Sequence, residues 1–291
     1  MNFDFSEDQK FLGDQARKYL SEQCTTAEVR KVLNDDGMAC HESLWNGIAE
    51  MGWLGTAIPE EYGGLGLGML ELCVLAEEIG RALAPVPFSS TVYMLAEALK
   101  LGGSEAQKQA LLPEIAAGKV VGAYASSEGP GAPDLSALKT TFDGSKLNGT
   151  KIPVLDGDIA THALVTAAEN GGVSLVLVDL NQAGVKRTVV KTLDPTRSHA
   201  ELEFTDVAGE RIGEAGQAGP LLDKLMDRAA VLIAFEQTGG ADRAVEMATD
   251  YAKSRYAFGR PIGGYQAIKH KLADGWVKNQ VARSNAYYGA W

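Results

Sequence analysis

Three residues near the end of the chain carry side chains suited to a large anionic ligand. Arg255 offers a permanently charged fork of donors that matches a pyrophosphate. Phe258 offers a flat apolar face, and Gln266 can both donate and accept hydrogen bonds. Arg255 closes one helical stretch and Gln266 sits near the start of the next. The competing reading makes Arg255 a cap on the last carbonyls of its helix and Phe258 part of the core. A second candidate is Tyr124-Ala125-Ser126-Ser127-Glu128, where the Ser127 hydroxyl can donate and accept, against the alternative of a turn serine. His41, His162, His199 and His270 are scattered and form no metal-ligand pattern. Cys24, Cys40 and Cys73 are odd in number and lack CxxC spacing, so zinc and disulfide frameworks are not expected and a reducing cytoplasm fits best.

Composition narrows the partners. The 291 residues are 45% hydrophobic, enough for a large core and about two domains. Lys and Arg number 27 against 38 Asp and Glu, a net charge of -11 that argues against nucleic acid or an anionic membrane as the main partner. A phosphate-bearing ligand stays possible, since a few well-placed cations bind one locally. The opening MNFDFSEDQK is acidic and lacks a signal-peptide core, and no apolar run is long enough to span a bilayer.

The elements that must position these residues fall into three blocks. Ser6-Glu7-Asp8-Gln9 has the form of a capping box, followed by Phe11, Leu12, Ala16 and Leu20 on one helical face. Helices are expected over about 41–51, 69–83, 91–101 and 105–117, with Ile58–Gly66 a loop because Pro59 and three glycines defeat regular structure. Trp53 and Trp276, at helical positions, are expected in the core. From Val120 the pattern changes to short β-rich runs at 120–126, 146–153, 162–167, 173–179, 184–190 and 201–207, with Asn148-Gly149 as a tight-turn signal. Six or more strands without intervening helices suggest a small antiparallel barrel or sandwich. Helix returns over 221–253 and 265–290, and the pattern runs to Trp291 without a capping signal, which suggests a longer parent protein. The fold class expected is α+β: a helical bundle over 1–118, a β domain over 119–215, and the start of a second helical bundle over 216–291.

That order is the plan of the acyl-CoA dehydrogenases, and local patterns strengthen the resemblance across essentially the whole chain. Pro59-Glu60-Glu61-Tyr62-Gly63-Gly64-Leu65-Gly66, followed by Glu77-Glu78-Ile79-Gly80, resembles the first-domain signature. Leu147-Asn148-Gly149-Thr150-Lys151 resembles the β-domain hairpin, and Arg255-Tyr256-Ala257-Phe258-Gly259-Arg260-Pro261-Ile262 with Gln266 is similar to the most diagnostic stretch. The resemblance implies an FAD-dependent oxidoreductase of fatty acid or steroid side-chain β-oxidation that converts an acyl-CoA thioester to the enoyl-CoA. An electron-transferring flavoprotein would then be the electron acceptor, and the assembly a homo- or hetero-oligomer, dimer or tetramer. Arg255, Phe258 and Gln266 would reach across a dimer interface to the adenosine diphosphate part of a neighbour's FAD. Tyr124, Ser126 and Ser127 would lie on the strand that touches the flavin ring. No metal is implied.

Departures from the family pattern matter as much. Ala132-Pro133-Asp134 stands where the family has Gly-Ser-Asp, and Pro133 brings neither a hydroxyl nor an N–H. Pro153-Val154-Leu155-Asp156-Gly157 stands where the family has Trp-Ile-Thr-Asn-Gly, so the aromatic shield and the hydroxyl near the flavin N5 are absent. The catalytic base is unknown. The family's usual Glu lies downstream of Trp291, and the position used by a smaller branch is Ala229, which has no proton chemistry. Asp227 is on roughly the opposite helix face and Glu236 about 10 Å along the axis, so both read as solvated or ion-paired. Asp194-Pro195-Thr196-Arg197 resembles a motif of mixed-subunit members, and Arg197 would hold a substrate or partner carboxylate, or else sit in a surface turn. The alternative to a catalytic chain is therefore a structural subunit that completes a partner's FAD site.

Overall fold

The computed structural model describes residues 5–35 and 37–291; the first four residues of the acidic N-terminal stretch lie outside them. Helices α1 (Glu7–Gln23), α2 (Thr26–Asn34), α3 (Glu42–Glu50), α4 (Met69–Ala82), a π-helical stretch (Ser89–Ala96), α5 (Glu97–Gly102) and α6 (Glu105–Ala116) come first. Strands β1 (Gly122–Ala125), β2 (Thr141–Phe142), β3 (Lys146–Leu155), β4 (His162–Glu169), β5 (Gly172–Asp179), β6 (Val185–Val189), β7 (His199–Ala208) and β8 (Glu210–Ile212) follow. Helix α7 (Gly219–Ser254), a short hairpin of β9 (Tyr256–Ala257) and β10 (Arg260–Pro261), and α8 (Gln266–Ala290) complete the chain. Two compact units form. One gathers the chain up to Thr25 with Met69–Ala84 and Ala230–Trp291, the other Thr26–Gly68 with Pro85–Ala229.

The first unit is helical. Ser6 and Gln9 cap α1 reciprocally, each side chain accepting the other's backbone N–H at 2.9–3.2 Å. Helices α4 and α7 meet backbone to backbone. A Cβ at Gly80 would lie 1.9 Å from the Glu236 carbonyl oxygen, and one at Gly239 would lie 1.9 Å from that of Glu77. Gly239-Gly240 therefore sits inside an unbroken helix, because the contact it permits offsets its poor propensity. Helix α8 is tied down by polar groups. Arg283 donates to both Glu77 and Asp242, and Asn279 donates to Asp242 and to the Thr238 carbonyl. Burial pushes the Glu77 carboxyl up, against the pull of the Arg283 charge. Trp276, expected in the core, is more than half exposed, whereas Trp53 is buried in a short 3-10 turn.

The second unit is built on the sheet. Its order is β6-β7-β3-β2-β4-β5-β8, with β1 also paired to β4. The sheet is open and mixed, not a closed antiparallel barrel: β6 and β8 are its ends, and β1 and β2 both run parallel to β4. Alternation along each strand identified the strands but carries no information about which strand pairs with which. Strand β4 is buried continuously from Ala163 to Ala167 because both its faces are covered. Leu164, with Leu175, Leu177 and Ile212, packs against Leu95, Leu99, Leu112 and Leu225 on the helical side. Ala163 and Val165 pack with Val154, Leu202 and Phe204 on the other.

The expected turn at Asn148-Gly149 is also corrected. Those residues lie inside β3 at a bulge, and Gly149 is required because a Cβ there would come within 2.6 Å of Thr140. The reversal falls earlier, at Asp143–Lys146, where Gly144 has φ +96° and the Asp143 carboxylate accepts the Ser145 and Lys146 N–H groups.

Candidate functional site

The sequence pattern around Arg255 folds into a rigid projection. Strands β9 and β10 pair through Ala257 with Arg260, leaving Phe258 (φ +52°) and Gly259 (φ +77°) as a two-residue turn with both φ values positive. The Tyr265 hydroxyl donates to the Ala257 carbonyl at 2.9 Å, the Arg260 guanidinium lies 4.1 Å over the Tyr265 ring, and the Ile262 N–H closes on the Arg255 carbonyl at 2.8 Å. The Phe258 ring is 97% exposed, which overturns the reading that buries it in the core. A bulky side chain at positive φ costs about 1–3 kcal/mol, and solvent returns nothing for an apolar ring. The Arg255 guanidinium is exposed and makes no hydrogen bond or ion pair with the described residues, so it does not cap its helix. Gln266, also exposed, opens α8, whose N-cap residue Tyr265 contributes no side-chain bond to the helix's first N–H groups. The positive end of that helix is thus open beside Gln266.

In the second unit the two segments expected at the flavin ring meet at one point. The Ile152 N–H donates to the Ser127 carbonyl at 2.9 Å and Glu128 bridges Ile152 in parallel, which sets the end of Tyr124–Glu128 beside β3 at the residue before Pro153. Burial pushes the Tyr124 phenol up, against a bond involving Ser126. The Ser127 hydroxyl donates to the Gly129 carbonyl at 2.9 Å, so its lone pairs, rather than its proton, remain for a ligand. Pro133 sits in an exposed loop whose base is closed by Glu128, which accepts the Lys139 and Thr140 N–H groups at 2.8 and 2.9 Å.

Beneath these segments lies a group that sequence reasoning missed. Lys151 is fully buried, and its ammonium donates to Glu128 at 2.9 Å and to Ser126 O and Thr166 Oγ1 at 3.3 Å. Burial pushes the Lys151 ammonium down, against the attraction of Glu128. Burial also works to raise the Glu128 carboxyl, but the bonds from Lys151 and from two backbone amides outweigh it and hold it at about 2. No sequence signal marked it: apart from Lys151 only Leu147 and Val154 of β3 are buried, and the two bulges break the alternation that would have grouped them.

The candidate positions on α7 differ in burial. Ala229 is buried, Asp227 is exposed and Glu236 is half-buried. Arg197 is drawn inward rather than left in a surface turn: its guanidinium pairs with Asp156 at 2.9 Å. Among the described residues no group of three or more His, Cys, Asp or Glu is placed to hold a metal ion. Nor is any helix long and apolar enough to cross a membrane.

Comparison with known proteins places this arrangement. Residues 6–119 match the acyl-CoA dehydrogenase N-terminal domain, and residues 220–291 match the C-terminal domain of the same family. The acyl-CoA dehydrogenase IpdE2 of Mycobacterium tuberculosis is 32% identical over 281 residues, covering 96% of this chain and 74% of that protein. The ChsE4-ChsE5 complex from Mycobacterium tuberculosis is 27% identical with a TM-score of 0.89, covering 100% of this chain and 79% of that one. An acyl-CoA dehydrogenase from Bacillus anthracis, complexed with FAD, is 27% identical with a TM-score of 0.89, covering 98% of this chain and half of that one (50%). Matched at both ends, and alike in fold across the sheet between them, the chain belongs to the acyl-CoA dehydrogenase family.

Proposed function

We propose that this chain is a subunit of an FAD-dependent acyl-CoA dehydrogenase, which oxidises an acyl-CoA thioester to its α,β-enoyl-CoA. The observation that carries the reading is the β9–β10 hairpin. A strained, fully exposed Phe258 stands beside an unpaired Arg255 and the open end of α8 at Gln266, a combination of use only to a ligand or chain outside this unit. An adenosine diphosphate fits it: Arg255 pairs with the pyrophosphate, Phe258 covers an apolar face, and Gln266 bonds a polar edge. FAD, when bound, supplies the acceptor for the β-hydride. Tyr124, Ser126 and Ser127 line the ring side, with backbone groups and the Ser127 lone pairs as the available partners. The three-part division at 119 and 216 follows the same logic, the middle part meeting flavin and acyl-CoA. An electron-transferring flavoprotein as acceptor and a cytoplasmic location complete the reading.

A second reading has its own support. Ala229 brings no carboxylate, Pro133 and Pro153 bring no N–H, and Leu155 brings no hydroxyl, which favours a structural role in which the hairpin completes the FAD site of a different subunit. The ChsE4-ChsE5 complex, an assembly of two named chains, is a structural parallel for such pairing. Co-purifying the chain with the product of the adjacent gene and counting flavin per chain separates the two. One FAD per chain supports a catalytic subunit, and one per pair of unlike chains supports the structural one. A full-length protein free of flavin in every combination overturns both.

A further inference from the structure

We infer that Arg197 is a positioning residue: through its ion pair with Asp156 it fixes the Pro153–Leu155 wall of the flavin side. The inference rests on the flavin reading above and on a buried charge. Asp156 follows directly on β3, and its side chain is 2% exposed. One carboxylate oxygen, Oδ2, accepts from Arg197 Nη2 at 2.9 Å and from the Ser90 hydroxyl at 2.6 Å. The same Arg197 nitrogen donates to the Ser89 hydroxyl at 2.9 Å. Asp156 itself is held at φ +56°, its N–H donating to the Ser198 carbonyl at 2.8 Å and its carbonyl accepting the Ala160 N–H at 2.9 Å.

Three segments therefore meet at one ion pair: the end of β3, the loop leading into β7, and the π-helical stretch. The next hydroxyl on that stretch, Thr91, accepts the Gly122 N–H at 3.0 Å at the start of β1. Three consecutive hydroxyl residues thus tie both strands that carry the candidate ring contacts, β1 into Tyr124–Ser127 and β3 into Pro153–Leu155. π-helical turns are uncommon and gather at functional sites. A buried ion pair contributes little net stability compared with apolar packing, so its use lies in fixing a geometry. Here the wall needs fixing from behind, because Pro153 and Leu155 themselves bring no hydrogen-bonding side chain. With Nη2 bonded to both Asp156 and Ser89 and only 18% of the side chain exposed, the carboxylate that Arg197 holds is the chain's own.

The test uses the full chain co-expressed with its partner subunit. Amide hydrogen exchange is read across residues 153–160, and FAD titration is followed by the visible flavin band. R197M is expected to speed exchange at Asp156, Gly157 and Ala160, and to shift the flavin band or weaken FAD binding. R197K, which keeps a donor and a charge, is expected to restore both readouts. Should R197M fail to fold, the D156N/R197M pair, which removes the buried charge altogether, takes its place with the same expected flavin shift. Faster exchange with both the flavin band and FAD affinity unchanged, or unchanged exchange in a folded R197M, overturns the inference and leaves the proposed function standing. If no combination of subunits binds FAD, the function falls instead, and the exchange readout alone decides whether Arg197 fixes this wall.

Discussion

Lys151 and Glu128 set the chemistry beneath Tyr124–Glu128 at the scale of single residues. An ammonium with no solvent exposure tolerates burial because one carboxylate and two oxygen acceptors surround it. Removing only the cation, as in K151M, leaves Glu128 with its backbone donors but no counter-charge. The expected cost is about 3 kcal/mol in urea denaturation, while the double variant E128Q/K151M recovers most of it. The pH dependence has a definite sign. Glu128 is held at about 2 in the folded chain, below its ordinary 4.5, so its stabilising contribution is fully present above 4.5 and is lost as pH falls through about 2. Thermal midpoints across that window are expected to fall more steeply for the wild type than for E128Q. Equal slopes would mean that the carboxylate is not held down. None of this was legible in sequence, where Lys151 appears only as the last letter of a hairpin-like pattern. Burial of a strand residue depends on the partner strand's register, and two bulges shift that register in β3.

At the scale of elements, the α4–α7 crossing shows how a residue with no side chain decides a helix pair. Gly80 and Gly239 bring the two backbones into contact, so neither neighbour can yield by rotating a side chain. G239A is expected to cost at least about 3 kcal/mol, near the upper end of core overpacking, because the new methyl meets a backbone carbonyl. G240A is the control: its nearest atom is 3.3 Å away, so the loss is expected to stay within about 1 kcal/mol. Denaturant midpoints of the two variants check the pair, and similar losses would dismiss the crossing as the reason for the glycines. Helices and strands themselves were largely legible, since periods of 3.6 and 2 are local properties of the chain. The capping box at Ser6 and the strands near 146, 162, 173 and 201 stand where the sequence puts them. Pairing was not legible. The parallel placement of β1 and β2 against β4, and the bulge at Asn148-Gly149, arise from contacts between segments far apart in the chain, and local turn chemistry pointed to the wrong reversal.

At the scale of the whole molecule, the question is whether the chain is energetically complete on its own, and Phe258 makes that testable with two readouts of opposite sign. In the isolated chain the ring contacts solvent on nearly every side and its backbone is held at φ +52°. Glycine adopts that conformation without strain, so F258G removes a cost and forfeits no packing. The thermal midpoint of the isolated chain is therefore expected to stay level or rise, with a gain of up to about 1 kcal/mol. On the proposed function the same change removes, in the assembled protein, the face that would cover the dinucleotide, and FAD retained per assembly after gel filtration is expected to drop. F258Y keeps the face and the strain, so it should match the wild type in both measurements. A single cause inside the chain cannot give that pattern, because a purely structural role for the ring predicts that stability and cofactor content fall together. If F258G instead lowers the midpoint of the isolated chain and leaves FAD content unchanged, the hairpin is a local structural device and the ligand belongs elsewhere.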